Sequence, residues 1–459
     1  MKTQSAITSI SPAIFCAVKI FCTSCLSVLS FSCTNYIYDS NVSPVTEPDS
    51  SVSDIVESVY GLWDELYGSS ATKSGMKKPK VGEIRHIGCP YSKGDGGEEY
   101  DDAFVINFSQ GGGFAVVRDG DGQKIVALSD NGNITPQKIF DDSDSLCSHY
   151  ALYSTIRSAL RTRSVSDTVH ANLGIYNYLS YDPDSLHVTT GEWMLNDYYD
   201  PLVLVKWGQS YPFNTHKPIA DTAYTHYYNN KYRNHYAVGC GPLAMAQVMV
   251  TTGHPAYFVG NISSYPLASF RQTANYNNYS HYLYYTYDSY ADSSIRVTMG
   301  KIADMLQLIG ERAEVYYTDN GTYTSYSKII PTLYSYDSSY YKNGDVRDPF
   351  DELDCETAIP LLLSIGEPMI IYGSSHIWVL DGLFDIHRHL SNNQIERVKL
   401  YHFNWGWNGY CDGYYFADDF CLADRVFRDD IDTNSSGYYG TNDYTDNAKF
   451  IFFTVYHGN

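Results

Sequence analysis

Three short segments hold side chains able to do chemistry. Tyr236-Ala-Val-Gly-Cys-Gly-Pro-Leu-Ala-Met-Ala-Gln-Val-Met249 sets Cys240 between two glycines at the head of an apolar run. Pro242 needs no amide donor in a first helical turn, so a helix is expected from Gly241 to Thr252. The free N–H groups and positive dipole end at such a helix mouth favour a thiolate, making Cys240 a candidate nucleophile. Gly239 and Gly241 leave room for a substrate backbone. Taken alone, the segment also describes a buried structural cysteine, the commoner fate of a free thiol.

Pro368-Met-Ile-Ile-Tyr-Gly-Ser-Ser-His-Ile-Trp-Val-Leu-Asp-Gly382 places His376 at the start of an apolar strand, behind a small loop that lets it face a cleft. Tyr401-His-Phe-Asn-Trp-Gly-Trp-Asn-Gly-Tyr-Cys-Asp-Gly-Tyr-Tyr415 puts Asn404 before a Gly-flanked tryptophan pair. An amide here can orient an imidazole, with Trp405 shielding the contact from water. Separately these are a core or surface histidine and an aromatic β-hairpin. Together they run Cys, His, Asn, the order of papain-type thiol proteases, in which the imidazole takes the thiol proton. Gln209, in Trp207-Gly-Gln-Ser-Tyr-Pro-Phe-Asn214, supplies an amide suited to an oxyanion hole, joined by the Cys240 N–H.

The elements that must position these groups divide the chain. Its 459 residues exceed one ordinary domain, and 44% hydrophobic content marks a folding chain. A net charge of -21 argues against nucleic-acid binding, which calls for a basic face. A helix over Ile55–Tyr67, short strands at Ala103–Phe108, Phe114–Val117 and Lys124–Leu128, and a helix over Ser145–Leu160 predict a compact α+β unit at 51–165. Residues 166–200 read as a connecting segment open to proteolytic cutting. From 201 to 459 helices come first (Gly241–Thr252, an apolar stripe through Met299, Ile302, Leu306 and Ile309, then Cys355–Ser364). Strands follow, from Met369 to Val455, another α+β order. Asp429–Asp446 reads as a solvated acidic loop.

The N-terminus reads as an export leader, 1–33, with Lys2 ahead of the apolar run Ile20–Phe31. Ser32-Cys33 followed by polar residues is similar to a lipoprotein signal, with Cys33 the lipidated residue and a tether at 34–50. The expected location is therefore the outer surface, the periplasm or the extracellular medium. The remaining cysteines show no CxxC or Cys/His spacing for zinc. A Cys411–Cys421 disulfide is left open.

The motifs resemble the streptopain-like cysteine peptidases of streptococci and of Bacteroides and Prevotella relatives. The resemblance rests on Gly239-Cys240 with Ala244, Ala246-Gln247 and Met249; on His376, Val379 and Asp381-Gly382; on residues 404–409 with Asp412-Gly413-Tyr414; and on Trp207-Gly-Gln209 with Pro212 and Asn214. Val105-Ile-Asn-Phe108, Gly113-Phe-Ala-Val-Val117 and Ile125–Gly132 resemble the family propeptide. The resemblance implies a papain-like two-subdomain α+β protease at 201–459, with an inhibitory propeptide at 51–165. It implies an endopeptidase acting on proteins or peptides with no metal or organic cofactor, and with Cys240, His376, Asn404, Gln209 and Trp405 as site residues. Membrane contact would come only through the lipid. A thiol amidase or transpeptidase acting on cell-wall peptides, a catalytically silent binding protein, and a free-standing inhibitor role for 51–165 are the rival readings.

Overall fold

The computed structural model describes residues 42–44, 50–68, 78–88, 100–119, 124–140, 149–160, 193–218, 235–261, 263–271, 293–318, 321–337, 355–373, 376–389, 395–416 and 449–451. The leader, Cys33, the tether through residue 41, most of the connecting segment, Cys421 and the acidic loop lie outside the described residues. Among those described, no helix is long and apolar enough to cross a membrane.

Helix α1 (Ser50–Trp63) runs on into a π turn at Asp64–Gly68. It buries Val59, Leu62, Trp63, Leu66 and Tyr67, a three-and-four spacing that makes one apolar face. Strands β1 (Val81–Ile87), β2 (Asp102–Phe108), β3 (Phe114–Asp119) and β4 (Ile125–Ser129) pair antiparallel in succession. The last three match the sequence reading. β1 escaped it because its side chains are mostly partly exposed and alternate poorly. Helix α2 (Tyr150–Ala159) follows, and then β5 (Met194–Tyr199).

The second part opens with α3 (Cys240–Thr252), α4 (Ser293–Arg312), α5 (Ile329–Tyr336) and α6 (Cys355–Ser364). It ends in β6 (Met369–Gly373), β7 (His376–His389), β8 (Ile395–Asn404), β9 (Gly413–Tyr415) and β10 (Lys449–Ile451). α3 is apolar nearly all round and buried, which makes it the core of the helical layer. Gly253, in the left-handed region at φ 77°, ends it. Around α3 gather Ile302, Leu306 and Ile309 of α4, Leu333 of α5, and Ile370, Ile377 and Val379 of the sheet.

The expected boundary between two separate units is not a gap. The sheet runs β1-β2-β3-β4-β9-β8-β7-β6-β10 without a break, because β4 pairs with β9, Ser129 opposite Gly413. The α1 face packs on strands of both parts, with Phe384, Leu400 and Tyr414 in the same core as Ile106 and Leu128. β5, expected within the connecting segment, is a strand on β7. Few of its side chains are buried, so it carries no alternation to read.

Candidate active site

Cys240 opens α3, and Gly239 before it holds φ 94°, a conformation that disfavours side chains. A Cβ at Gly239 would lie 2.9 Å from Thr322 Cγ2, and one at Gly241 2.9 Å from Thr324 Cβ. Thr322 and Thr324 therefore stand where side chains at 239 and 241 would go, which is why both positions are glycine. Thr322 Oγ1 also donates to Ala237 O at 3.0 Å, fixing the approach to the helix. Burial pushes the Cys240 thiol up, opposed by the N–H groups of Ile377, Gly241 and Cys240 itself. The Ile377 contact sets the thiol beside the residue that follows His376.

His376 begins β7 and is buried. Its Nε2 lies 3.0 Å from the Trp405 carbonyl oxygen. A carbonyl can only accept, so Nε2 carries the hydrogen and Nδ1 keeps its lone pair for a proton. Trp407 stacks on the imidazole at 5.2 Å, with Trp378 at 6.0 Å and Trp405 at 6.2 Å. In this apolar surround burial lowers the His376 pKa to about 4; the Trp405 carbonyl resists the shift and nearby His149 adds to it. Burial thus disfavours the charged form of both groups.

The contact expected between Asn404 and His376 is not formed. Asn404 Oδ1 accepts from Gln247 Nε2 at 3.0 Å and from the Gly406 N–H at 3.1 Å, and its Nδ2 donates to Val205 O at 3.4 Å. β8 ends at Asn404, and the chain turns there through Gly406 at φ 74°, which brings the Trp405 carbonyl rather than the amide to the ring. Trp405 thus serves the histidine through its main chain, while its indole is buried. Asp412 Oδ1 accepts the Trp405 N–H at 3.0 Å. Burial raises the Asp412 pKa to about 6, against the pull of Lys206 and His402.

Gln209 sits partly exposed in the loop before the nucleophile segment, and its carbonyl accepts the Val238 N–H at 2.8 Å. Buried Asn214 donates to His235 O at 3.1 Å and Tyr236 O at 3.2 Å. Three hydrogen bonds therefore hold the Gln209 loop against the segment that leads into Cys240. A buried pair, His402 Nδ1 and Asp381 Oδ1 at 2.6 Å, braces β7 against β8, and Asp381 Oδ2 accepts the Val203 N–H at 2.9 Å.

Sequence reasoning missed His149. Its ring meets Trp407 edge-on at 4.5 Å, although it comes from the part of the chain read as a propeptide. No local pattern marks it. Trp378, Trp407, Gln247 and Asp412 stood inside the quoted motifs without a role. Groups of three or more His, Cys, Asp or Glu able to hold a metal are absent among the described residues.

Residues 207–415, a span that holds Gln209, Cys240, His376 and Asn404, match the Peptidase C10 family. Streptopain of Streptococcus pyogenes is 23% identical over 203 residues, covering 40% of this chain and 46% of streptopain, so the chain spans about half the length of that curated relative. Among solved structures, a fragment of Prevotella intermedia prointerpain A is similar at 17% identity and TM-score 0.40, over 70% of this chain and 92% of the fragment. Active interpain A of the same organism is similar at 19% identity and TM-score 0.30, over 49% of this chain and 91% of its own. Residues 207–415 are thus similar to the Peptidase C10 family, over a little less than half of the chain.

Proposed function

We propose that this chain is a cysteine endopeptidase, made as a precursor in which residues 51–165 restrain 201–459. One observation carries the reading. The Cys240 thiol opens a helix beside the amide that follows His376, whose Nε2 is tied down and whose Nδ1 is left as the proton acceptor. In the reaction, Nδ1 takes the thiol proton and the thiolate attacks a peptide carbonyl carbon, forming a C–S bond. The Gln209 amide and the Cys240 N–H donate to the oxyanion. The imidazolium protonates the leaving amine as the C–N bond breaks, and water then hydrolyses the thioester with Nδ1 as base.

Restraint by 51–165 is supported by His149 on Trp407 and by side-chain-to-carbonyl hydrogen bonds with the loop beyond it. Asn131 Nδ2 donates to Gly409 O at 2.9 Å, and Tyr410 donates its hydroxyl to Asn133 O at 2.9 Å. The leader motif supports export with Cys33 lipidated; a Cys33→Ser chain that still partitions into a detergent phase would remove the lipid from this reading.

The testing experiment is intact mass over time for residues 34–459 beside a Cys240→Ala copy, under reducing conditions, with casein and peptidoglycan fragments as substrates. Self-trimming to a fragment starting between about 161 and 200 in the parent alone, with casein cleaved, is the expected result. Two stable chains that leave casein whole would overturn the endopeptidase. Cleavage of cell-wall peptides alone would make the chain an amidase or transpeptidase.

A further inference from the structure

Helix α3 carries a second group of the site. Gln247 lies seven residues after Cys240, about two turns along the helix. It is buried in an otherwise apolar stretch, where an amide is tolerated only if its hydrogen bonds are met. Its Nε2 gives one to Asn404 Oδ1 at 3.0 Å. Asn404 Oδ1 accepts a second, from the Gly406 N–H at 3.1 Å. That N–H belongs to the peptide unit joining Trp405 to Gly406, and the oxygen of the same unit accepts His376 Nε2–H at 3.0 Å.

The chain Gln247, Asn404, peptide, His376 is continuous, and its directions are fixed. The Gly406 N–H can only donate, so Asn404 presents its oxygen there. Val205 O can only accept, so the Asn404 nitrogen faces it. A peptide whose N–H is engaged is also a stronger acceptor at its oxygen. α3 touches the turn a second time, since a Cβ at Gly406 would lie 2.8 Å from Leu243 Cδ2.

We infer that Gln247 is a positioning residue for His376, acting through Asn404 and the 405–406 peptide, so that one helix sets both nucleophile and base. The inference rests on the reading of Cys240 and His376 as the reacting pair. Gln247→Glu keeps shape and size but, once ionised above its carboxyl pKa, offers no donor. Asn404 must then turn its nitrogen toward residue 247, and the Gly406 N–H loses its acceptor. Asn404→Asp keeps an oxygen for both donors, whereas Asn404→Ala keeps neither bond.

The test follows Cys240 alkylation by iodoacetamide against pH in the full chain, read by mass spectrometry of its peptide. Thermal unfolding, kcat and KM on a peptide substrate accompany it, with His376→Ala as reference. Expected for Gln247→Glu is an alkylation profile displaced toward that of His376→Ala. Its kcat should fall about 10- to 100-fold with KM within about twofold, the scale of a misplaced catalytic group. Asn404→Asp should retain about tenfold more kcat than Asn404→Ala, and this pair decides the matter if Gln247→Glu does not fold. Parent-like profiles and kcat in Gln247→Glu, or equal rates in the two Asn404 variants, would overturn the inference and leave the reacting pair intact. A His376→Ala profile identical to the parent's would overturn the pair, and the inference with it.

Discussion

His149 stands edge-on to Trp407 at 4.5 Å, and Trp407 stacks on His376 at 5.2 Å, so a residue of the first part reaches His376 through one indole. Such ring contacts are worth about 0.5–1.5 kcal/mol. His149→Ala should therefore speed self-trimming of the precursor by roughly 2- to 12-fold, the same energy expressed as a rate. Intact mass against time measures it, and a rate unchanged from the parent would show that the contact restrains nothing.

The pH dependence of precursor stability follows from the depressed His376 pKa of about 4. Above its unfolded value near 6.5 the ring is neutral in both states and no stability is lost. As pH falls from 6.5 toward 4 the unfolded chain binds a proton that the folded chain refuses, and stability drops by up to about 3 kcal/mol. Asp412, raised to about 6, works in the opposite sense: its contribution is present at low pH and is lost as pH rises through 6. Urea unfolding at pH 7 and pH 4.5 should show a smaller acid loss in His376→Ala than in the parent. Equal losses would refute the assignment to this ring.

Gly239→Ala forces a side chain into φ 94° and against Thr322. Strain of this kind costs about 1–3 kcal/mol. Because it falls on the residue before Cys240, peptidase activity should drop more than the melting temperature does. A variant with parent-like kcat would show that the backbone at Cys240 needs no such turn.

Gln209→Ala should lower kcat by about 10²- to 10³-fold with little change in KM, the usual cost of losing one oxyanion donor. Steady-state kinetics on a peptide substrate checks it. A rise in KM alone would make Gln209 a substrate-binding residue.

Much of this was legible in the sequence, for physical reasons. Cys240 announces a helix start through Gly239 and Pro242, and the helix begins there. β2, β3 and β4 were readable because Gly111–Gly113 and Asp119–Gly122 punctuate compact apolar runs. The partner of His376 was misread because spacing places an amide near a ring but does not say which atom of the turn arrives first. Gly406, at positive φ, brings a carbonyl. His149 was invisible because its contact to Trp407 joins residues far apart in the chain. The β4–β9 pairing was equally hidden: three-residue β9 declares no partner of its own.

That pairing separates cutting from release. A break in the connecting segment leaves β4 hydrogen-bonded to β9, Ser129 Oγ still donating to Asp412 O at 2.7 Å, and α1 still covering Tyr414. On the proposed function, a nicked chain is thus a two-chain complex before it is an open enzyme. When the first part does leave, β9 becomes a bare sheet edge with unpaired N–H and C=O groups, the surface on which strands add. The departing fragment would carry the strand that fits it, so on the proposed function that fragment competes for the edge it has left.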